Sequence, residues 1–186
     1  RIYNKNDFKK EKYYMILEKF YTNNFDSDIV LHHNGEDIDF LKLKKYVYFQ
    51  KLQFDKKNEQ VVVLFGDNSF EFVVNFFAAL FSNKEIYLLT DRTRLSGLNI
   101  DYIIPEKPDK NDEFSFENID VKKTKITFFT SGSTAIPKKI TKTLENLEAE
   151  AYSSIKQFNI QPNLSVYSTT IMSHMFGLTF FFMVPL

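Results

Sequence analysis

The chain has 186 residues, 44% of them hydrophobic and 26% charged, values close to globular averages that exclude wholesale disorder. Lys plus Arg and Asp plus Glu both total 24, so the formal charge is zero, and a polyanion-binding role for nucleic acid, which normally needs a basic excess, is not expected. Cysteine is absent and only His32, His33 and His174 are present, which excludes disulfides and thiolate nucleophiles and speaks against a multi-histidine metal site; no metal-ligand set is assigned. The 21 Phe and 10 Tyr beside no Trp, with Lys far above Arg, fit AT-rich codon usage better than a functional selection.

In chain order, Phe8, Tyr14, Leu17 and Tyr21 fit one loose helical face. Ile29-Val30-Leu31 predicts a short strand, Asn34-Gly35 a turn, and Ile38 to Leu43 the return. His32-His33 reads as a solvated strand end rather than a metal site. Leu41 to Phe54 predicts a helix with a lysine-rich outer face. Val61 to Phe65 is a continuous β-branched and apolar run, the mark of a strand buried on both faces. Gly66-Asp67-Asn68-Ser69 breaks it, and Ser69 can cap a helix to about Phe81 that carries Glu71 in its first turn.

Ile86 to Leu89 predicts the next strand, Asp91 to Leu95 a short helix, and Tyr102-Ile103-Ile104 a further strand. Pro105 through Lys125 is charged and reads as an exposed connector. Ile126 to Phe129 and Ile140 to Lys142 read as two strands around a polar loop. Leu144 to about Phe158 is a helix with Leu144, Leu147, Ala151 and Ile155 on one stripe. Leu164 to Thr169 predicts another strand, and Met172 to Leu186 a loop leading into a core helix. Strands alternating with helices predict an α/β fold with a mainly parallel sheet flanked by helices.

No signal peptide is visible at the Lys-rich N-terminus, so a cytoplasmic location is expected. No Asp, Glu, Lys or Arg occurs from Gln157 to Leu186. A truncated membrane helix and a buried strand plus core helix both account for that. The apolar part, Met175 to Leu186, has 12 residues where a span needs about 20, which favours the second reading and no integral membrane segment. The chain starts on Arg1 and ends in an apolar run, and reads as cut at both ends.

The dense motif is Thr130-Ser131-Gly132-Ser133-Thr134-Ala135-Ile136-Pro137-Lys138. Hydroxyls and successive backbone N–H groups in a tight turn direct donors into one concavity, which suits an anion. Gly132 lets the backbone approach a ligand, and Lys138 adds a mobile positive charge. A plain Ser/Thr-rich hairpin turn is the competing reading. A Walker A loop is excluded, because Pro137 and Lys139 stand where it needs Gly before the lysine and Ser or Thr after it.

The order of these residues closely resembles the phosphate-binding signature of the adenylate-forming enzymes, the superfamily of acyl- and aryl-CoA synthetases and peptide-synthetase adenylation domains. That signature reads aromatic-T-S-G-S/T-T-G-x-P-K, and Phe129 through Lys138 departs from it only at Ala135. VVVLFGDNSFEFVVNFFAALFSNKEIYLL resembles the strand–helix–strand near the start of the family's large domain. STTIMSHMFGLTFFFMVPL resembles the segment in which an H-x-x-G loop, here His174 to Gly177, leads into a helix. Taken alone, His174 is an ordinary core or loop histidine; at this spacing from the hydroxyl loop the resemblance gives it a substrate-side role.

What the resemblance implies is a partial N-terminal AMP-binding domain over 1–186, with the phosphate loop on a β-hairpin and the small C-terminal lid domain absent. The implied activity is that of an acid–thiol ligase of fatty acid or aryl acid metabolism. It activates a carboxylic acid with ATP and Mg2+ to an acyl-adenylate, then transfers the acyl group to CoA or an acyl carrier protein. Thr130, Ser131, Gly132, Ser133, Thr134 and Lys138 would hold the nucleotide phosphates. His174 would be the catalytic contact near the carboxylate, with Phe176 and Gly177 shaping the acid pocket. The family's later motifs are not found in this chain, so alone it is expected to be inactive. The alternative is a non-catalytic α/β nucleotide-binding or interaction module.

Overall fold

A computed structural model describes residues 16–66, 68–90, 114–130, 138–161 and 165–186. The expected elements at 91–95 and 102–104, and most of the first amphipathic stretch, lie outside the described residues. Helix α1 is Ile16–Phe20. Strands β1 (Ile29–His33) and β2 (Glu36–Asp39) form a separate antiparallel hairpin. Its turn works because Asn34 (φ 51°) and Gly35 (φ 80°) both take the left-handed conformation that a two-residue hairpin needs. Across it, His32 Nδ1 lies 2.5 Å from the exposed Asp37 carboxylate.

The return strand is shorter than its apolar pattern implies, because Asp39 accepts from the Lys42 N–H and starts helix α2 at Phe40–Asp55. The outer face of α2 is not uniformly lysine-rich. Lys44 is 1% exposed, and its Nζ reaches Asp26 Oδ1 at 2.7 Å and the Thr22 carbonyl, tying the preceding turn to the helix.

Strands β3 (Val61–Phe65), β4 (Glu85–Leu89), β5 (Ile126–Thr130) and β6 (Lys138–Lys142) make one sheet in that order. The first two pairings are parallel and the last is antiparallel, so the sheet is mixed and mostly parallel. Among the described residues β3 is an edge strand. Val63 and Leu64 are nevertheless buried on opposite faces.

Helix α3 (Phe70–Phe81) begins at Ser69, whose Oγ accepts from the Phe72 N–H at 3.2 Å. Its pattern predicts one buried face. All its residues but Glu71 are buried, so it is the central helix of the core, enclosed by the sheet, α2 and the C-terminal segment. The phenylalanine surplus is spent here: Phe20 packs its ring 4.9 Å from Phe40, 4.8 Å from Phe77 and 5.1 Å from Phe81. Each such ring removed from water contributes about 1.5–3 kcal/mol.

The described part of the connector, 114–125, is only partly exposed. Phe116 enters the same cluster, 4.4 Å from the Phe81 ring, because an aromatic side chain is too costly to leave in water beside an open apolar seam. Helix α4 (Leu144–Phe158) starts on a capping box between Thr143 and Asn146 and buries Leu144, Leu147 and Ala151. Residues 165–169 take no regular secondary structure and form no ladder with any described strand, so over its described part the expected strand at 164–169 is not made. Helix α5 (Met175–Gly177) runs into a π-helical segment, Leu178–Met183, whose Phe182 packs on Phe76 and Phe77. Among the described residues no helix is long and apolar enough to cross a membrane.

Candidate functional site

In open, mainly parallel sheets ligands bind beyond the carboxyl ends of the strands. Phe65, Leu89 and Thr130 end their strands there, and the antiparallel return places Lys138 opposite Thr130 in register. The connection 131–137, with Ser131, Gly132, Ser133 and Thr134, lies outside the described residues. Lys138 is exposed. Strand alternation puts the next lysine on the other face, where Lys139 Nζ sits 5.1 Å from the Tyr87 ring centre and 5.7 Å from that of Phe129. The two lysines are therefore not equivalent: Lys139 lies over aromatic faces, and Lys138 pairs with Thr130 at the strand end.

His174 caps the short helix α5. Its backbone N–H donates to the Ile171 carbonyl at 3.1 Å, and its own carbonyl accepts from Leu178 N–H at 2.8 Å. Its Nδ1 accepts from the Phe176 N–H at 3.3 Å. With Nδ1 an acceptor, the neutral imidazole carries its proton on Nε2, leaving that N–H for a ligand oxygen. Gly177 is buried hard against the same turn: a Cβ there would lie 2.1 Å from the Ile171 carbonyl oxygen. The H-x-x-G spacing thus has a steric cause. The histidine side chain closes the turn on one side, and the glycine lets the backbone cross on the other.

His174 and Phe176 line an open groove of 610 Å3 between α4, the end of β6 and the π-helical segment. Phe176 is 50% exposed and packs on Phe180, ring centres 4.6 Å apart. The polar wall is the Lys142–Glu150 ion pair with Ser153 and Ser154. Lys142, not Lys138, is the β6 lysine in this groove. The structure therefore brings His174 and Phe176 together and keeps Gly177 beneath them, while Lys138 belongs to the strand end. A second cleft, of 460 Å3, opens at the opposite end of the sheet around Gln60, Glu85 and Lys125.

The turn after β3 contributes what the sequence reading misses. A Cβ on Gly66 would lie 2.5 Å from Ser173 Oγ, so the loop before His174 rests directly on this glycine. Asn68 Nδ2 donates to Ser168 Oγ (3.3 Å) and the Thr170 carbonyl (3.2 Å), and its Oδ1 accepts from Met172 N–H (2.9 Å). The available signal was a Gly and an Asn in a turn at a strand's carboxyl end, which reads equally well as a plain strand breaker.

No family model and no curated protein matches the chain. Solved structures do. The o-succinylbenzoate CoA synthetase of Bacillus subtilis, in complex with its acyl-adenylate intermediate, superposes with a TM-score of 0.69 at 19% identity, over 88% of this chain and 51% of that one. The same enzyme in complex with ATP and magnesium gives 0.67 at 18% identity, over 88% and 52%. The N-terminal subdomain of Klebsiella oxytoca NpsA, in complex with 3-hydroxybenzoyl-AMSN, gives 0.55 at 13% identity, over 74% and 43%. Over most of its length the chain thus has the fold of the N-terminal portion of these adenylate-forming enzymes, and it spans about half the length of the first of them.

Proposed function

We propose that the chain forms the phosphate-side and acid-side part of an adenylate-forming acid–thiol ligase, as a partial N-terminal AMP-binding domain over 1–186. The observation that carries this reading is the register pairing of Thr130 with Lys138 on the antiparallel strands β5 and β6, which flank the hydroxyl motif in sequence, at the carboxyl ends of parallel strands. An exposed lysine adjoining a hydroxyl-rich stretch in sequence suits a polyanionic tail, so ATP fits the residue types present. Mg2+ would neutralise phosphate charge when bound; this reading assigns its ligands to no residue of the chain.

Each part has a simple task. Thr130, Ser131, Gly132, Ser133, Thr134 and Lys138 hold the β- and γ-phosphates, which leave as pyrophosphate when a carboxylate attacks the α-phosphate. His174 donates from Nε2 to an oxygen of the acid or of the adenylate, and Phe176 with Gly177 shapes the acid's surroundings. A thiol of CoA or of an acyl carrier protein then displaces AMP. Such a reaction depends on positioning and charge stabilisation, so holding the phosphates is itself a catalytic contribution.

The test is an amide-resolved titration of the chain. ATP is expected to move the signals of Thr130 and Lys138, and a non-hydrolysable aryl-adenylate mimic those of His174 and Phe176 as well. ATP signals that move only around Gln60, Glu85 and Lys125 would overturn the reading, because the ligand would then occupy the opposite end of the sheet.

A further inference from the structure

We propose that Asn68 is a positioning residue, the clamp that sets the loop carrying His174. This rests on the substrate-side role proposed for His174. The loop needs a clamp because residues 165–169 have no ladder partner among the described strands, Val166 and Tyr167 are exposed, and Tyr167 is 86% so. Within the segment Ser168 Oγ donates to the Thr170 carbonyl at 2.6 Å, a local bond that sets no position relative to the sheet.

Asn68 is suited to supply that register. One short side chain provides two donated bonds, to Ser168 Oγ and the Thr170 carbonyl, and one accepted bond, from Met172 N–H. Its contacts thus span the five residues leading up to Ser173 and His174. The clamp is anchored on both sides. Before it, Gly66 N–H donates to the Leu89 carbonyl at 3.1 Å and ties the turn to β4; after it, Ser69 caps α3, the most enclosed helix of the protein. The loop then lies in its seat, with Met172 and Ser173 buried and Gly66 packed so closely against Ile171 and Ser173 that a Cβ there would lie 2.5 Å from Ser173 Oγ. Anchors on both sides of Asn68 therefore set Met172, and the His174 N–H bond to the adjacent Ile171 carbonyl sets the His174 backbone, whose imidazole Nδ1 accepts from the Phe176 N–H. A displacement of about 1 Å at a reacting group is enough to cost ~100-fold in rate, so such a clamp acts on function without touching a ligand.

The experiment compares Asn68→Ala, Asn68→Asp and Ser69→Ala in the 186-residue chain, reading three quantities. These are the long-range 15N signature of the His174 tautomer, amide exchange at Met172 and Phe176, and affinity for an aryl-adenylate mimic. Asn68→Ala is expected to lose the Nε2–H signature, to accelerate exchange at Met172 at least 10-fold, and to weaken the mimic by roughly 10- to 100-fold. Asn68→Asp keeps the acceptor and loses both donors, so it should fall between wild type and Asn68→Ala. Ser69→Ala destabilises α3 through its cap and is expected to lower Tm while leaving the His174 signature in place. The proposal is overturned if Asn68→Ala retains that signature, or if Ser69→Ala abolishes it equally. A wild-type chain that ignores the mimic, while Asn68→Ala still loses the signature, overturns the role of His174 and leaves the clamp standing.

Discussion

Gly177 and Ile171 approach so closely that a Cβ on the glycine would sit 2.1 Å from the isoleucine carbonyl oxygen. The backbone of Gly177 is ordinary right-handed helix, so any penalty for a side chain is one of space and not of conformation. Gly177→Ala must push the two backbones apart, at a cost of about 2–3 kcal/mol. The expected result is a Tm lower by roughly 4–12 °C together with loss of the His174–Phe176 turn, read by thermal unfolding and amide exchange.

Glu148 gives the chain a pH dependence. Burial, and then the neighbouring Glu18 and Glu145, push its carboxyl up to about 7, although Oε1 accepts from the Ile16 N–H at 3.0 Å and opposes the rise. A folded value above the unfolded one means that the native state binds the extra proton. Stability from this group is therefore full below about pH 4.5 and falls as pH rises towards 7. Glu148→Gln keeps the acceptor for Ile16 and removes the charge. It should stabilise the protein by about 1–2 kcal/mol at pH 8, allowing for solvent screening, and by almost nothing at pH 4. Equal stabilisation at both pH values would show that the carboxylate's ionisation is not the cause.

Lys44 and Asp26 form the reverse case, a buried cation with a fixed partner at 2.7 Å. Asp26→Ala leaves the ammonium with the Thr22 carbonyl but no counter-charge, and should cost about 3 kcal/mol in denaturant unfolding. Adding Lys44→Met to Asp26→Ala should recover most of the loss, because the methionine has no charge to desolvate. If the double variant is no more stable than the single one, the loss comes from packing at residue 26.

Lys138→Ala tests the phosphate side. Loss of one charge-assisted contact worth about 1.5–3 kcal/mol predicts ~10- to 150-fold weaker binding of ATP or pyrophosphate by calorimetry. Lys139→Ala should change it far less, since that ammonium lies over Tyr87 and Phe129. Equal effects of the two substitutions would remove the distinction that strand alternation makes.

Helix α3 was legible because Ser69 offers its own start signal, accepting from the Phe72 N–H, and α4 was legible from its apolar stripe; the caps at Asp39 and Thr143, which set where α2 and α4 begin, emerged only in the structure. Asn34-Gly35 fixed the hairpin in the same local way, and the β-branched run at Val61 fixed a strand. The hydroxyl motif and its lysine read as an anion-binding pattern from residue type alone, since hydroxyls, glycine and charge are properties of the residues themselves, and 131–137 lie outside the described residues. Tertiary structure alone decided the rest. A strand exists only where a partner offers its ladder, so the β-prone residues 165–169 stay unpaired among the described strands. Lys44 is buried because Asp26 meets it 18 residues away, and Phe116 because α1 and α3 leave a seam for its ring. The fixing of the His174 loop depends on Asn68 meeting Met172 across 104 residues, a contact that no local pattern encodes because each side chain alone reads as ordinary turn chemistry.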